Sequence, residues 1–347
     1  DEYLFFGGHS RRGEMATIGW GTPQTLGLAV VGVVSLLALV RASGLVVECS
    51  LRLAQHFDIP EALIGVFVLS IGTSLPEIGT HVTASAGILS GTLDFAVASN
   101  TALGGSLGSS TVQQFFLVGV LLLGFGRDVV DETLLRWSYA PMLGSFVLLF
   151  VLAFDGTVSR LDSLLMLVAF GTYARYSFRG RQQRRVLEDV PEDTSRVGRD
   201  ALVALAGLVA VLASAYVVLA VIEATVVRLR LGGSMVGVMT IGLASALPEL
   251  STVLESVRRR TPTLALGTLL GSNVVNTLVG VGLGGVLSTY SVPPSVLFWD
   301  LPFKFGFGLL LLGHILTVGE GTLGRREGVA LVAVYFLYVV GRLLLYP

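Results

Sequence analysis

Two glutamates, Glu77 and Glu249, stand inside long apolar stretches, each directly after a proline. An ionised carboxylate in hydrocarbon costs roughly 3 kcal/mol or more, so an intramembrane acid points to function before packing. The surroundings of the two acids repeat. Residues 70–77 read SIGTSLPE and residues 242–249 read GLASALPE, while 108–113 read GSSTVQ and 271–276 read GSNVVN. Helical spacing sets Thr73 and Ser74 on the face of Glu77, at i−4 and i−3, and pairs Ser109 with Gln113 and Ser272 with Asn276 at i and i+4. Proline removes a backbone donor and crowds the carbonyl four residues earlier. That frees acceptors at Gly72 and Ala244 and tilts the neighbouring carbonyls of Thr73 and Ser245.

Every candidate ligand in this set is an oxygen: carboxylate, carbonyl, hydroxyl or amide. Such a set suits a hard cation like Ca²⁺, which takes about 6–8 oxygens, whereas zinc or copper favours nitrogen and sulfur. The two charges would be neutralised by one divalent ion, two monovalent ions or two protons. Two like charges in one low-dielectric cavity disfavour an empty, fully ionised site. A site that must be discharged before it reorients exchanges one load for another, which is antiport. His81, at i+4 from Glu77, reads as a partner or bystander, and Asn273 as a packing amide. Glu48, Glu223 and Glu255 lie near helix ends, where snorkelling to the interface accounts for them.

The elements that must position these residues follow from composition. Of 347 residues, 53% are hydrophobic and 14% charged, against about 25% charged in soluble domains. This excludes disorder, a nucleic-acid-binding chain and a cytosolic globular enzyme. Apolar runs of spanning length fall near 23–48, 61–85, 94–124, 134–154, 160–178, 200–227, 233–257, 262–288, 294–318 and 326–345. The expected fold is all-α, a polytopic membrane protein of ten transmembrane helices. Residues 1–19 read as an N-terminal tail without the layout of a signal peptide, 20–178 as a first five-helix repeat, 179–199 as a cytoplasmic connecting loop and 200–347 as a second repeat. Five is odd, so the second copy enters the bilayer from the opposite side. Inverted repeats around a midplane site are the signature of secondary transporters. With the N-terminus outside, inner loops carry fifteen basic residues and outer ones seven, Lys304 among them, as retention of Arg and Lys on the cytoplasmic side requires. A single cysteine, Cys49, excludes an internal disulfide framework and a Cys-based metal cluster.

At these motifs the chain resembles the cation/Ca²⁺ antiporter superfamily, in its sodium/calcium exchanger branch; GTSLPE, ASALPE, GSSTVQ and GSNVVN look like the two repeats of that family. The resemblance implies that Glu77 and Glu249 coordinate calcium centrally and that the carbonyls of Thr73 and Ser245 complete the shell. It further implies that Ser74, Ser109 and Ser272 help form flanking sodium sites, with Gln113 and Asn276 near the centre. The first and sixth spans would slide against the rest. The second repeat departs at Ser245, where threonine is usual, and at Ala246, where the family has a serine. Gln113 and Asn276 replace Asn or Asp, so no third carboxylate is added. The spacing from Glu77 to Ser109 is also longer than that from Glu249 to Ser272.

The leading expectation is a cell-membrane antiporter exchanging Ca²⁺ for Na⁺, without a cofactor, whose partners are the lipid bilayer and small cations, with no nucleic acid and no obligate protein partner. Within the class, the alternative is a proton-coupled exchanger or one carrying Mg²⁺. Outside it stands a cation-binding membrane sensor without transport. An intramembrane protease is disfavoured: there is no GxSxG, and Asp128 and Asp155 fall at helix ends.

Overall fold

The computed structural model describes residues 23–57, 64–129, 134–182, 197–228, 246–317 and 322–345. In chain order the α-helices are α1 (Pro23–His56), α2 (Ser70–Thr73), α3 (Leu75–Leu89), α4 (Phe95–Thr111), α5 (Val118–Phe125), α6 (Ala140–Leu152), α7 (Arg160–Gln182), α8 (Val197–Arg228), α9 (Leu247–Arg259), α10 (Pro262–Val275), α11 (Val281–Ser288), α12 (Leu301–Thr317) and α13 (Arg325–Leu345). π-helical turns are spliced in at Gly65–Leu69, Val112–Leu117, Leu135–Tyr139, Asn276–Gly280 and Val296–Asp300. Among the described residues, seven helices are long and apolar enough to cross a membrane.

Burial separates centre from rim. The continuous helices Phe95–Phe125 and Pro262–Ser288 are 72% and 94% buried inside the protein over their apolar windows, whereas the windows in α1 and α8 are 28% and 18% buried. Side-chain size explains the division. The central helices carry Gly, Ala and Ser at their contacts, which lets neighbouring backbones close in. Gly65 and Gly271 mark a crossing where backbone meets backbone: a Cβ on Gly271 would lie 2.6 Å from Val66 Cα, and one on Gly65 would lie 2.5 Å from Leu264 O. By contrast α1 turns Val33, Val34 and Leu37 outward, and α8 turns Leu202, Leu205 and Val209 outward. Apolar side chains exposed along a whole helix have lipid as their natural neighbour.

α1 and α8 pack on each other along their length, through Leu39, Ala42 and Val46 against Val211. Arg52 ties the pair together by reaching Asp200 at 2.9 Å. Towards α9 the pair makes a hydroxyl contact, Ser43 to Ser251 at 2.6 Å, and an ion pair, Glu48 to Arg259 at 2.9 Å. Arg259 also holds Glu255 at 2.6 Å. Glu48 and Glu255 therefore end in arginine contacts.

Two short antiparallel ribbons join distant loops. β1 (Arg127–Val129) pairs with β4 (Thr322–Gly324), and β2 (Thr157–Val158) pairs with β3 (Tyr290–Ser291). The start of α4 is fixed locally, where the Asp94 carboxylate accepts the Val97 N–H at 2.9 Å. Losing such an N-cap costs about 1 kcal/mol. Asp94→Ala is therefore expected to lower thermal stability in detergent by that amount and to leave cation binding intact.

Candidate cation-binding site

Each glutamate owes its position to a helix that starts just before it. The backbone is outside helical geometry at Ser74 (φ −84°, ψ 3°), where it ends α2, and at Ala246 (φ −92°, ψ 14°), and at both a helix begins at the next residue with proline in its first two positions. The ladder starts in the same way at both, with Ile78 N–H on Ser74 O at 3.0 Å and Leu250 N–H on Ala246 O at 2.9 Å. Proline is tolerated there because first-turn N–H groups lack helical acceptors anyway. Glu77 and Glu249 thus occupy the first turn of α3 and α9, where the helix dipole favours negative charge.

Neither acid faces outward: Glu77 is 7% exposed and Glu249 0%. Two side chains bridge them. Ser109 Oγ donates to Glu77 Oε1 at 2.8 Å. Gln113 Nε2 donates to Glu249 Oε1 at 3.2 Å and to Ser109 Oγ at 3.5 Å. The chain Glu77–Ser109–Gln113–Glu249 connects the two motifs through one helix. Thr73 meets Ser272 at 3.5 Å, and Asn276 Nδ2 donates to Ser110 Oγ at 3.4 Å. Gln113 and Asn276 both sit in π-turns, Val112–Leu117 and Asn276–Gly280. Such turns re-aim side chains and recur at functional sites.

The structure therefore brings Glu77, Glu249, Ser109 and Gln113 into one hydrogen-bonded chain, and places Thr73 against Ser272 on the same pair of motifs. Ser74 lies one turn before Glu77, and Ser245 falls outside the described residues. Several oxygens are left over. Ser74 Oγ, Glu77 Oε2, Glu249 Oε2, Asn273 Oδ1 and Asn276 Oδ1 are buried without a hydrogen-bond partner. Buried polar atoms normally find partners, so a cluster of orphaned oxygens on these motifs marks a place for something that accepts lone pairs. A hard cation does that. Among the described residues no group of three or more His, Cys, Asp or Glu could hold a metal ion, so two carboxylates with neutral oxygens are what the chain offers.

Some residues stand differently here than in the sequence reading. Asn273, read as a packing amide, donates to Leu269 O at 2.9 Å and to Gln113 Oε1 at 3.4 Å and keeps an unpartnered oxygen. Its place in GSNVVN, three before Asn276, was the available signal. His81 is fully buried, 3.3 Å from the Tyr290 hydroxyl, and its Nε2 has no partner. Lys304, the only lysine in the chain, entered the loop count as an outer charge, but the structure buries it completely. Its Nζ lies 4.3 Å from the centroid of the Phe146 ring, a cation–π distance. Asp300, one turn away, accepts the Tyr338 hydroxyl at 2.7 Å and pairs with Arg342 at 3.3 Å. The spacing of Asp300 and Lys304 within one apolar run was readable.

The sodium/calcium exchanger protein family matches residues 27–179 and 200–344. The chain is 27% identical over 293 residues to the inner membrane protein YrbG of Escherichia coli (strain K12), covering 82% of this chain and 85% of that protein. It is 26% identical over 348 residues to the sodium/calcium exchanger MaX1 of Methanosarcina acetivorans, covering 88% and 95%. Among solved structures, the sodium-calcium exchanger NCX_Mj superposes with a TM-score of 0.75 at 23% identity, covering 91% of this chain and 98% of that one; at that identity the likeness speaks for the fold. Taken with the helices and the buried acids, the match across nearly the whole chain makes this multi-pass membrane protein a member of the sodium/calcium exchanger family and a cation/Ca²⁺ antiporter of that superfamily.

Proposed function

We propose that the protein exchanges Ca²⁺ for Na⁺ across the cell membrane by alternating access at a site centred on Glu77 and Glu249. One observation carries the reading: the two acids, one from each motif, are buried and linked through Ser109 and Gln113, and each keeps an oxygen without a partner. Ser74, Asn273 and Asn276 supply further free oxygens, and the carbonyls of Thr73 and Ser245 complete the set. A pair of negative charges is discharged by one Ca²⁺ or by two Na⁺, and an uncompensated pair in low dielectric is too costly to cross. Each reorientation therefore carries a load, which couples the two ion flows.

The accompanying architecture is ten spans in two inverted five-helix repeats, 20–178 and 200–347, joined by a cytoplasmic loop, with the first span entering from outside. The ribbons support it. Strands that pair must lie on the same side of the membrane, so an even number of spans must separate them. Six spans separate β1 from β4 in the ten-span layout, and four separate β2 from β3. The two ribbons also exchange places under a repeat-to-repeat operation: β1 and β3 follow equivalent spans, as do β2 and β4. They fall at opposite faces, as inversion demands. The matching helix starts after Ser74 and Ala246 support the same relation.

The test is flux. Purified protein in sodium-loaded proteoliposomes is expected to accumulate radioactive calcium when external sodium is diluted and to stop when the sodium gradient is collapsed. Uptake indifferent to sodium but driven by a pH gradient would overturn the coupling ion, and saturable binding without flux would overturn transport.

A further inference from the structure

The amide of Gln113 is turned the wrong way for a ligand, and its orientation is fixed on both sides. Its oxygen accepts from Asn273 Nδ2 at 3.4 Å, and that nitrogen is itself anchored on the Leu269 carbonyl at 2.9 Å. Its nitrogen faces Glu249 Oε1 at 3.2 Å and Ser109 Oγ at 3.5 Å. Flipping the amide would set oxygen against a carboxylate oxygen and Nε2 against Nδ2, losing the contact to Glu249 and the one to Asn273. The network therefore assigns the rotamer.

Ser109 does for Glu77 what Gln113 does for Glu249. Each engages the Oε1 atom of its glutamate and leaves Oε2 alone. Each carboxylate thereby keeps one oxygen wholly free, while the other already accepts a hydrogen bond, so chelation through both oxygens must compete with that donor. Coordination number is what separates cations of equal charge and different size: larger ions take more oxygens, often through bidentate carboxylates, while small ones hold to six.

We propose that Gln113 is a positioning and size-selecting residue, which acts by keeping Glu249 monodentate so that the site discriminates against divalent cations larger than Ca²⁺. The inference rests on the two-glutamate cation site proposed above and adds the element that sets its selectivity. Asn273 belongs to the same device as the group that holds the amide in register. Hydrogen bonds to a charged acceptor are among the stronger ones, so the clamp competes with a cation for Glu249 Oε1.

The experiment compares Ca²⁺ and Sr²⁺ affinity, by competition in the full-length purified protein, for wild type and Gln113→Met. Methionine keeps length and removes the donor. The expected result is a rise in Sr²⁺ affinity relative to Ca²⁺ of about tenfold, as Glu249 becomes free to chelate with both oxygens. Gln113→Asn, whose amide falls one methylene short, is expected to move the ratio in the same direction and carries the test if Gln113→Met does not fold. A ratio unchanged in the folded variants, with both affinities lowered alike, would overturn the proposal and leave Gln113 a packing residue. A wild-type protein that binds neither ion would overturn the cation site itself, and this inference with it.

Discussion

Glu77→Gln and Glu249→Gln are each expected to abolish sodium-driven calcium uptake while the protein remains folded and inserted. Glutamine keeps the volume and an acceptor for Ser109 Oγ, so the local hydrogen bonding around α3 survives; at Glu249 the amide oxygen can still accept from Gln113 Nε2. What goes is one of two negative charges facing the ion. Breaking a buried charge pair from one side costs about 3–5 kcal/mol, which is roughly 10²–10⁴-fold in affinity. The loss falls harder on calcium than on sodium, because a site with one remaining charge is balanced by a single monovalent ion. Each variant is therefore expected to retain more sodium-for-sodium exchange than calcium uptake. Because either change alone defeats charge balance for a divalent ion, the double variant should be no worse than the singles. Radioactive calcium uptake and radioactive sodium exchange in the same proteoliposomes check both halves. Undiminished calcium uptake in either single variant would remove the two-glutamate site.

Hydropathy made the helices legible because it is a local property. The run expected at 262–288 is the helix pair spanning Pro262–Ser288, and that expected at 94–124 is Phe95–Phe125. The helix starts beside the acids were legible as well, since proline acts on the turn that contains it: Pro76 and Pro248 stand just past Ser74 and Ala246. Contacts between distant segments left no comparable trace. Nothing local says that the Gln113 amide turns its nitrogen towards Glu249, because Asn273 and Leu269, more than 150 residues later, decide it. Ribbons of two or three residues are too short for a period of two to register. Lys304 misled because a lone cation in an apolar run is most simply placed at an interface, whereas here Phe146 covers it.

Glycine was half legible, and the illegible half yields the second large effect. In sequence, Gly104, Gly105, Gly108, Gly267 and Gly271 all look like points of close backbone approach. A Cβ added at Gly104, Gly105 or Gly108 meets nothing within 4 Å, whereas one at Gly271 meets Val66 Cα at 2.6 Å, Val66 O at 2.9 Å and Ser70 Cβ at 3.0 Å. Two of those three atoms are backbone, which cannot swing aside as a flexible side chain can. Gly65, on the facing π-turn, is equally tight against Leu264 O and Thr268 N, at 2.5 and 2.7 Å. This crossing holds Thr73 3.5 Å from Ser272, so pushing it apart separates the two motifs that carry the acids. Overpacking a close-packed interior costs about 1–3 kcal/mol, occasionally more. Gly271→Leu, which must place a branched side chain where backbone already stands, is expected at or beyond the upper end, with loss of calcium binding. Gly271→Ala should show the same defect in smaller degree. Gly108→Ala, one residue before Ser109, should be nearly neutral in stability and in cation affinity. Thermal unfolding in detergent with and without calcium measures both quantities. Equal tolerance at Gly108 and Gly271 would mean that the crossing is looser than its atoms indicate, and that proximity of the two motifs does not depend on it.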